Sequence, residues 1–378
     1  MTTTTATGAA GQGQIYLIAA AVLTIAAGGF ALMQLMTEGH AAFNTTSTGL
    51  MWGLPIVTYD YFLLTSTGLV MVAALGLVFG MDDFRLIARR CLWLAFAGLV
   101  GGVAVLFLEL GYPLRALLLG PTSFQTASPL FWKMLLVGLY TIVLLVTLLT
   151  GDEKLRRGEG SALTTLLFIL AVLISLVAGS VYGMMAMRPF WFGGEIPVAF
   201  LIESFLGGLA FAVFFTYLAH GFSAGAMPAQ LRVLLGGRLA MLLAIVIALH
   251  LAFIGGRAIT GLWSNASGMQ VWQHLVSQPL FHIGLWVCTV LPLIILLTGA
   301  RSQPAMQLLA AVLVMIGLFI SRYEFIIGGQ IVPLFKGSWA PSLISYVPSM
   351  TEWALLALGI GIANLIYAAA IQFRGAED

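Results

Sequence analysis

Charge is what this chain lacks first. Asp, Glu, Lys and Arg make up 8% of its 378 residues, against roughly 25% in a soluble domain. Hydrophobic residues make up 61%. Such a chain cannot cover a folded surface with polar groups, so a soluble globular domain is excluded, and so is a disordered one. A formal charge of +2 leaves no basic surface for nucleic acid. Cysteine is nearly absent. Cys91 and Cys288 form no C-x-x-C, which excludes a cysteine-ligated iron–sulfur cluster and a covalently attached c-type haem within this chain. Both read as small buried apolar residues. No Walker motif, catalytic triad or H-E-x-x-H occurs. Gly101-Gly102 and Gly207-Gly208 read as sites of close helix packing, not phosphate cradles.

What the chain has is long apolar runs. They continue for roughly 20 residues, the length of a transmembrane helix. They do not alternate every second residue, as the strands of an outer-membrane barrel do. The fold class is therefore an all-α polytopic membrane protein of about ten transmembrane helices. The runs fall at about 14–36, 51–79, 91–119, 127–150, 162–185, 196–221, 232–256, 279–299, 306–328 and 349–372. Residues 1–13 are rich in Thr, Gly and Ala and read as a disordered tail. They lack the Lys or Arg that opens a signal peptide.

With ten spans the loops alternate sides. One side carries ten of the 16 Lys and Arg residues, mostly in short loops. The other carries six: Arg115, Lys133, Arg188, Arg257, Arg322 and Lys336. The positive-inside rule makes the first side cytoplasmic, with both termini. The chain is then a multi-pass protein of the cell inner membrane. The longer loops, 37–50, 257–278 and 329–348, face out and hold Trp263, Trp272 and Trp339. These read either as an interfacial aromatic belt or as a docking surface for a partner.

An internal repeat is visible. Pro55 opens helix 2 and Pro197 opens helix 6. Arg115 and Arg257 end helices 3 and 7, each followed by Ala. The tripeptide Pro-Leu-Phe opens helix 4 at 129 and helix 8 at 279. An offset of four helices makes the copies parallel repeats. The domain reading is a first four-helix bundle over 14–150, a second over 151–300, and a two-helix hairpin with tail over 301–378.

An ionisable side chain at the bilayer centre costs roughly 2.5–3.5 kcal/mol, so each one is a functional candidate. Asp60 lies about nine residues into helix 2, and Glu109 about ten residues before the outer end of helix 3. Tyr112 is three residues past Glu109 and is placed on the same face. Tyr59 and Tyr61 flank Asp60. Thr67, seven residues on, reads as a helix-packing hydroxyl. His40 follows helix 1 and is within reach of the same region. The structural alternative pairs these acids with Lys133 or Arg115 across helices. Glu203, His250, His282, Arg322, Glu324 and Glu352 also fall in outer halves of their helices. His250 and His282 read as an axial haem pair or as hydrogen-bonded structural histidines. Arg322 and Glu324 are two residues apart and need separate partners.

Several segments together resemble the polysulfide-reductase membrane-subunit family, the NrfD/PsrC-like proteins. They are WGLP at 52–55, MAMRPFW at 185–191, PVAFLIES at 197–204, RYEFIIGGQIVP at 322–333 and YVPSMTEW at 346–353. The ten-helix count is similar to the longer branch, with the hydrogenase-2 membrane subunit and DsrP-type subunits. The resemblance implies two four-helix bundles and a quinone-interacting subunit of a multisubunit respiratory oxidoreductase. Such a subunit exchanges electrons between menaquinone or ubiquinone and a ferredoxin-like iron–sulfur subunit on its outer face. It carries no haem or cluster of its own, and its quinone site lies in the first bundle near the outer surface. By position, Asp60 and Glu109 are the catalytic candidates, with His40, Tyr59, Tyr112 and Lys133 as quinone-binding candidates. Two other classes compete: a secondary transporter or proton-coupled permease, which also uses repeats and buried acids, and a haem b quinol oxidase subunit.

Overall fold

The computed structural model describes residues 4–45, 49–266, 268–334 and 343–374. Among them, ten helices are long and apolar enough to cross a membrane. They are α1 (Thr4–Glu38), α2 (Leu54–Leu77), α3 (Asp82–Glu109), α4 (Pro129–Thr150) and α5 (Ala162–Gly183). Then come α6 (Glu195–Ala219), α7 (Ala229–Trp263), α8 (Pro279–Leu297), α9 (Pro304–Gly328) and α10 (Met350–Arg374). Local chemistry sets many of the boundaries. Proline sits in the first turn of α2, α4, α8 and α9, where its missing N–H has no helical bond to lose. Gly80 turns the chain between α2 and α3 with φ +72, a conformation that disfavours any residue with a Cβ. Ser161 and Thr164 form a reciprocal capping box on α5.

Three expectations change. The first helix begins at Thr4, well ahead of residue 14, so it runs into the segment read as a tail; residues 1–3 lie outside the described residues. The third span is not 91–119. Asp82 and Asp83 open α3 in the negative-preferring first turn, and α3 ends at Glu109. Pro113 disfavours helical backbone at Tyr112, which takes φ −135 and ψ 68, and a separate short helix follows at Pro113–Thr122. Arg115 therefore sits in that short helix. Arg257 is likewise inside α7, which runs on to Trp263. Lys336 and Trp339 lie outside the described residues, as does the side chain of Arg374.

Packing identifies the central helix. Of the apolar window of α2, 89% is buried, against 22% for α1. α2 packs on α3, α5 and α6, while α4 packs on α5 and α3, so α2–α5 make one set of four. α6 packs on α7 and α9, and α8 packs on α7 and α9, so α6–α9 make a second. The repeat landmarks pair α2 with α6 and α4 with α8, and these two groups of four, α2–α5 and α6–α9, are used below as sets for description. Of the two helices of the expected C-terminal hairpin, α9 packs on α6 and α8, and α10 on α1 and α3.

Glycine lets the two sets meet. A Cβ at Gly68 of α2 would overlap the carbonyl of Ser204 on α6, and one at Gly208 would overlap the Gly68 backbone. Nearby hydroxyls lock this seam. Thr67 bonds Ser204 (2.6 Å) and Ser175 (3.0 Å), and Ser204 donates to the Leu64 carbonyl at 2.7 Å. Thr67 is thus a packing hydroxyl shared by α2, α5 and α6.

Candidate functional site

Below, the long-loop face means the side holding the ends of α1, α3, α5, α7 and α9. The short-loop face is the other.

Asp60 is fully buried on α2. Lys133 Nζ of α4 donates to its Oδ1 at 2.7 Å, and the Tyr182 hydroxyl of α5 donates to its Oδ2 at 2.6 Å. Lys133 also lies over the Tyr59 ring, 4.8 Å from its centroid. Three helices of the first set thereby meet at one carboxylate. Pairing is what makes a buried charge tolerable in a dry interior. Lys133 has three N–H donors and spends one here, so donor capacity remains beside the acid. Tyr182 is ringed by Trp52, Trp191, Phe200 and Phe325 with centroids 5.2–5.5 Å away. The sequence reading missed Tyr182. Its only signal was a phenol three residues from the end of the fifth apolar run, and helix adjacency is needed to aim it.

The other candidates lie elsewhere. Glu109 is the last residue of α3, at the long-loop end of the helix and not ten residues before it. His40 Nε2 lies 2.7 Å from the backbone carbonyl of Glu109, so these two are brought together. Tyr112 is 75% exposed, and its ring packs against Arg115 instead of sharing a face with Glu109. The six candidates thus form a buried group (Asp60, Lys133, Tyr59), an edge group (Glu109, His40) and an isolated Tyr112.

The second set has its own buried acid–cation pair. Arg322 of α9 donates to Glu203 of α6, and Ser321 donates to the same carboxylate at 3.2 Å. His250 of α7 is 3.7 Å from it. Arg322 also lies 3.8 Å from the centroid of the Phe200 ring. His282 is bonded to the Val276 carbonyl at 2.9 Å, so the two histidines are engaged separately. Glu352 serves the fold. It forms a reciprocal capping box with Ser349 at the start of α10, and it accepts a 2.6 Å bond from Tyr346. Tyr346 in turn accepts from the Leu54 N–H at 2.7 Å. Burial, and then the Glu352 carboxylate, push the Tyr346 phenol far above its ordinary range, so it stays a donor. Among the described residues, no three His, Cys, Asp or Glu side chains converge as a metal site.

A ten-helix membrane protein with an acid–cation pair inside each of two four-helix sets is the class this geometry defines. The chain belongs to the NrfD family, described as polysulphide reductase, whose profile matches residues 43–333. It is similar to a selenate reductase subunit of Mesobacillus selenatarsenatis, 25% identical over 89% of this chain and 88% of the relative. It is also similar to the Hdr-like menaquinol oxidoreductase integral membrane subunit of Archaeoglobus fulgidus, 21% identical over 86% of this chain and 84% of that one. The family ties the chain to membrane subunits of oxidoreductases.

Proposed function

We propose that this chain is the quinone-interacting membrane subunit of a multisubunit oxidoreductase. It passes electrons between membrane quinone and an iron–sulfur subunit docked on the long-loop face. The observation that carries this reading is the Asp60–Lys133–Tyr182 cluster inside the first set of four helices. A quinone ring needs a hydrogen-bond donor at each carbonyl, and its two-electron chemistry moves two protons. Lys133 keeps two N–H donors free, and Asp60 is a base in contact with Lys133 and with Tyr182, whose single O–H is spent on it. The aromatic rings around Tyr182, two of them packed edge-on, give the cluster the apolar surroundings that ring ligands favour. Glu109 and His40 stand at the membrane edge, where protons would enter or leave.

A relative named as a menaquinol oxidoreductase subunit supports the quinone assignment. The long-loop face takes the docking role because the positive-inside count puts it outside the cell membrane, with both termini in the cytoplasm. The test is quinone-linked activity normalised to assembled complex. Asp60→Asn and Glu109→Gln should each lose about 10²–10⁴-fold if the acids move protons. Near-normal turnover per complex in both variants would place the quinone chemistry elsewhere.

A further inference from the structure

The second set of helices holds a polar cluster that this chemistry leaves unused. α6, α7, α8 and α9 enclose a cavity of about 70 Å³. Glu203, His250, Arg257, Ser321, Arg322 and Glu324 line it, among aromatic and aliphatic side chains. A dry pocket that takes a benzene ring measures about 150 Å³, whereas one water needs roughly 10–15 Å³. The cavity is too small for a quinone ring and large enough for several waters.

A second cavity, of about 370 Å³, lies at the long-loop end of α9. His274, Gln278, Tyr323, Ser345 and Tyr346 are on its wall. Leu275 and Glu324 line both cavities. The Oε1 atom of Glu324 is buried and has no hydrogen-bond partner among the described residues. Buried acceptors are seldom left so, and water in the flanking cavities would satisfy this one. Charge points the same way. Arg322 is paired with Glu203. Arg257 donates to the Phe190 carbonyl and faces the rings of Phe190, Trp272 and Phe325. Glu324 is the second acid on a wall that carries two guanidiniums.

We propose that Glu324 stands at the neck of a water-filled inlet from the long-loop face. There it relays protons between the outer cavity and the Glu203–His250 pair. Each step breaks one O–H or N–H bond and forms another, with no change in electron count. The titratable groups that share a cavity wall with Glu324 are His274, Tyr323 and Tyr346 on the outer side, the last bonded to Glu352. On the inner side they are Glu203, His250, Arg257 and Arg322. The inlet stands on the cavities alone. The relay rests on the quinone reading, because turnover is what would drive protons through it.

Two measurements test this. Sealed right-side-out vesicles carrying the full complex are treated from outside with a water-soluble cationic carbodiimide and glycine ethyl ester, and tagged peptides are read by mass spectrometry. Glu324 should be tagged, and Ser345→Trp, which fills the outer cavity, should abolish the tagging. Tagging of Glu324 only after the chain is unfolded would overturn the inlet. In proteoliposomes, dye-reported proton exchange with the outside per turnover should fall in Glu324→Gln by about 10²-fold and return in Glu324→Asp. Unchanged exchange in Glu324→Gln overturns the relay whatever the tagging shows. A wild-type complex with no quinone-linked turnover fails the quinone reading and takes the relay with it, while the tagging still decides the inlet.

Discussion

Tyr182 and Asp60, 122 residues apart in sequence, share a 2.6 Å hydrogen bond inside the first set of helices. The bond offers a way to separate a structural role of Asp60 from the proposed chemical one. As the partner of buried Lys133 it holds the fold, and in the proposed function it is also the base. Asp60→Asn removes the charge and strands the ammonium, which typically costs about 3–5 kcal/mol in a buried pair. Its main effect on the isolated chain should be lost thermal stability. Tyr182→Phe keeps the ring and the Lys133 pair. It should assemble normally and lose about 10²-fold in quinone-linked turnover per complex. Equal losses of stability in the two variants would make the cluster a structural one.

Much of this was legible in the sequence, and what was not has a physical reason. Run length alone gives the ten spans, because a helix in lipid must satisfy its own backbone and so follows apolar content. Asp60 stood out because charge in such a run is costly. Which helices touch is not written in run length. Tyr182 and Lys133 meet Asp60 only through the neighbours of α2, and Glu109 lost its depth because Pro113 ended the span early. Repeat landmarks fix which helices correspond, but not where each set of four begins.

The α2–α6 seam makes a sharp packing prediction. A methyl at Gly68 meets backbone, which cannot move aside as a side chain can. Gly68→Ala should therefore destabilise by about 1–3 kcal/mol or more, read as a lower melting temperature in detergent. Gly29→Ala on α1, where a Cβ meets nothing, is the control and should be neutral or slightly stabilising. A neutral Gly68→Ala would mean that the two sets are farther apart than described.

On the short-loop face, Asp152 accepts 2.8 and 2.9 Å bonds from buried Arg89 and a 3.2 Å bond from Arg156. Burial raises its carboxyl, but the bonds and charges of Arg89 and Arg156 outweigh that and hold it below the usual carboxylate range. A depressed folded value means the charged form is favoured by folding. The stabilisation is fully present above about pH 4, the unfolded value, and is lost as pH falls through the lower folded one. Asp152→Asn should melt lower at neutral pH by an amount equivalent to about 1.5–3 kcal/mol, as for a bond to a charged group. The gap from wild type should close only under more acid conditions. A gap independent of pH would remove the ionised carboxylate from the explanation.

Sidedness decides what the outer cavity and the His40–Glu109 edge can exchange with. The native thiols do not confuse a labelling test, because Cys91 and Cys288 are both buried. Glu159 and Asn265 are exposed on opposite faces, in the loops after α4 and α7. In right-side-out vesicles an impermeant maleimide should label Asn265→Cys directly, and Glu159→Cys only once the membrane is opened. The reverse pattern would turn the chain over. It would put the Glu324 cavity on the cytoplasmic side and move the proposed docking face for an iron–sulfur partner with it. Because the Lys and Arg that set the expected orientation lie mostly in the short loops, neutralising Arg85, Arg156 and Arg157 together should weaken that preference. Labelling of Glu159→Cys from outside should then rise in the triple variant, which ties the orientation to charge and not to helix packing.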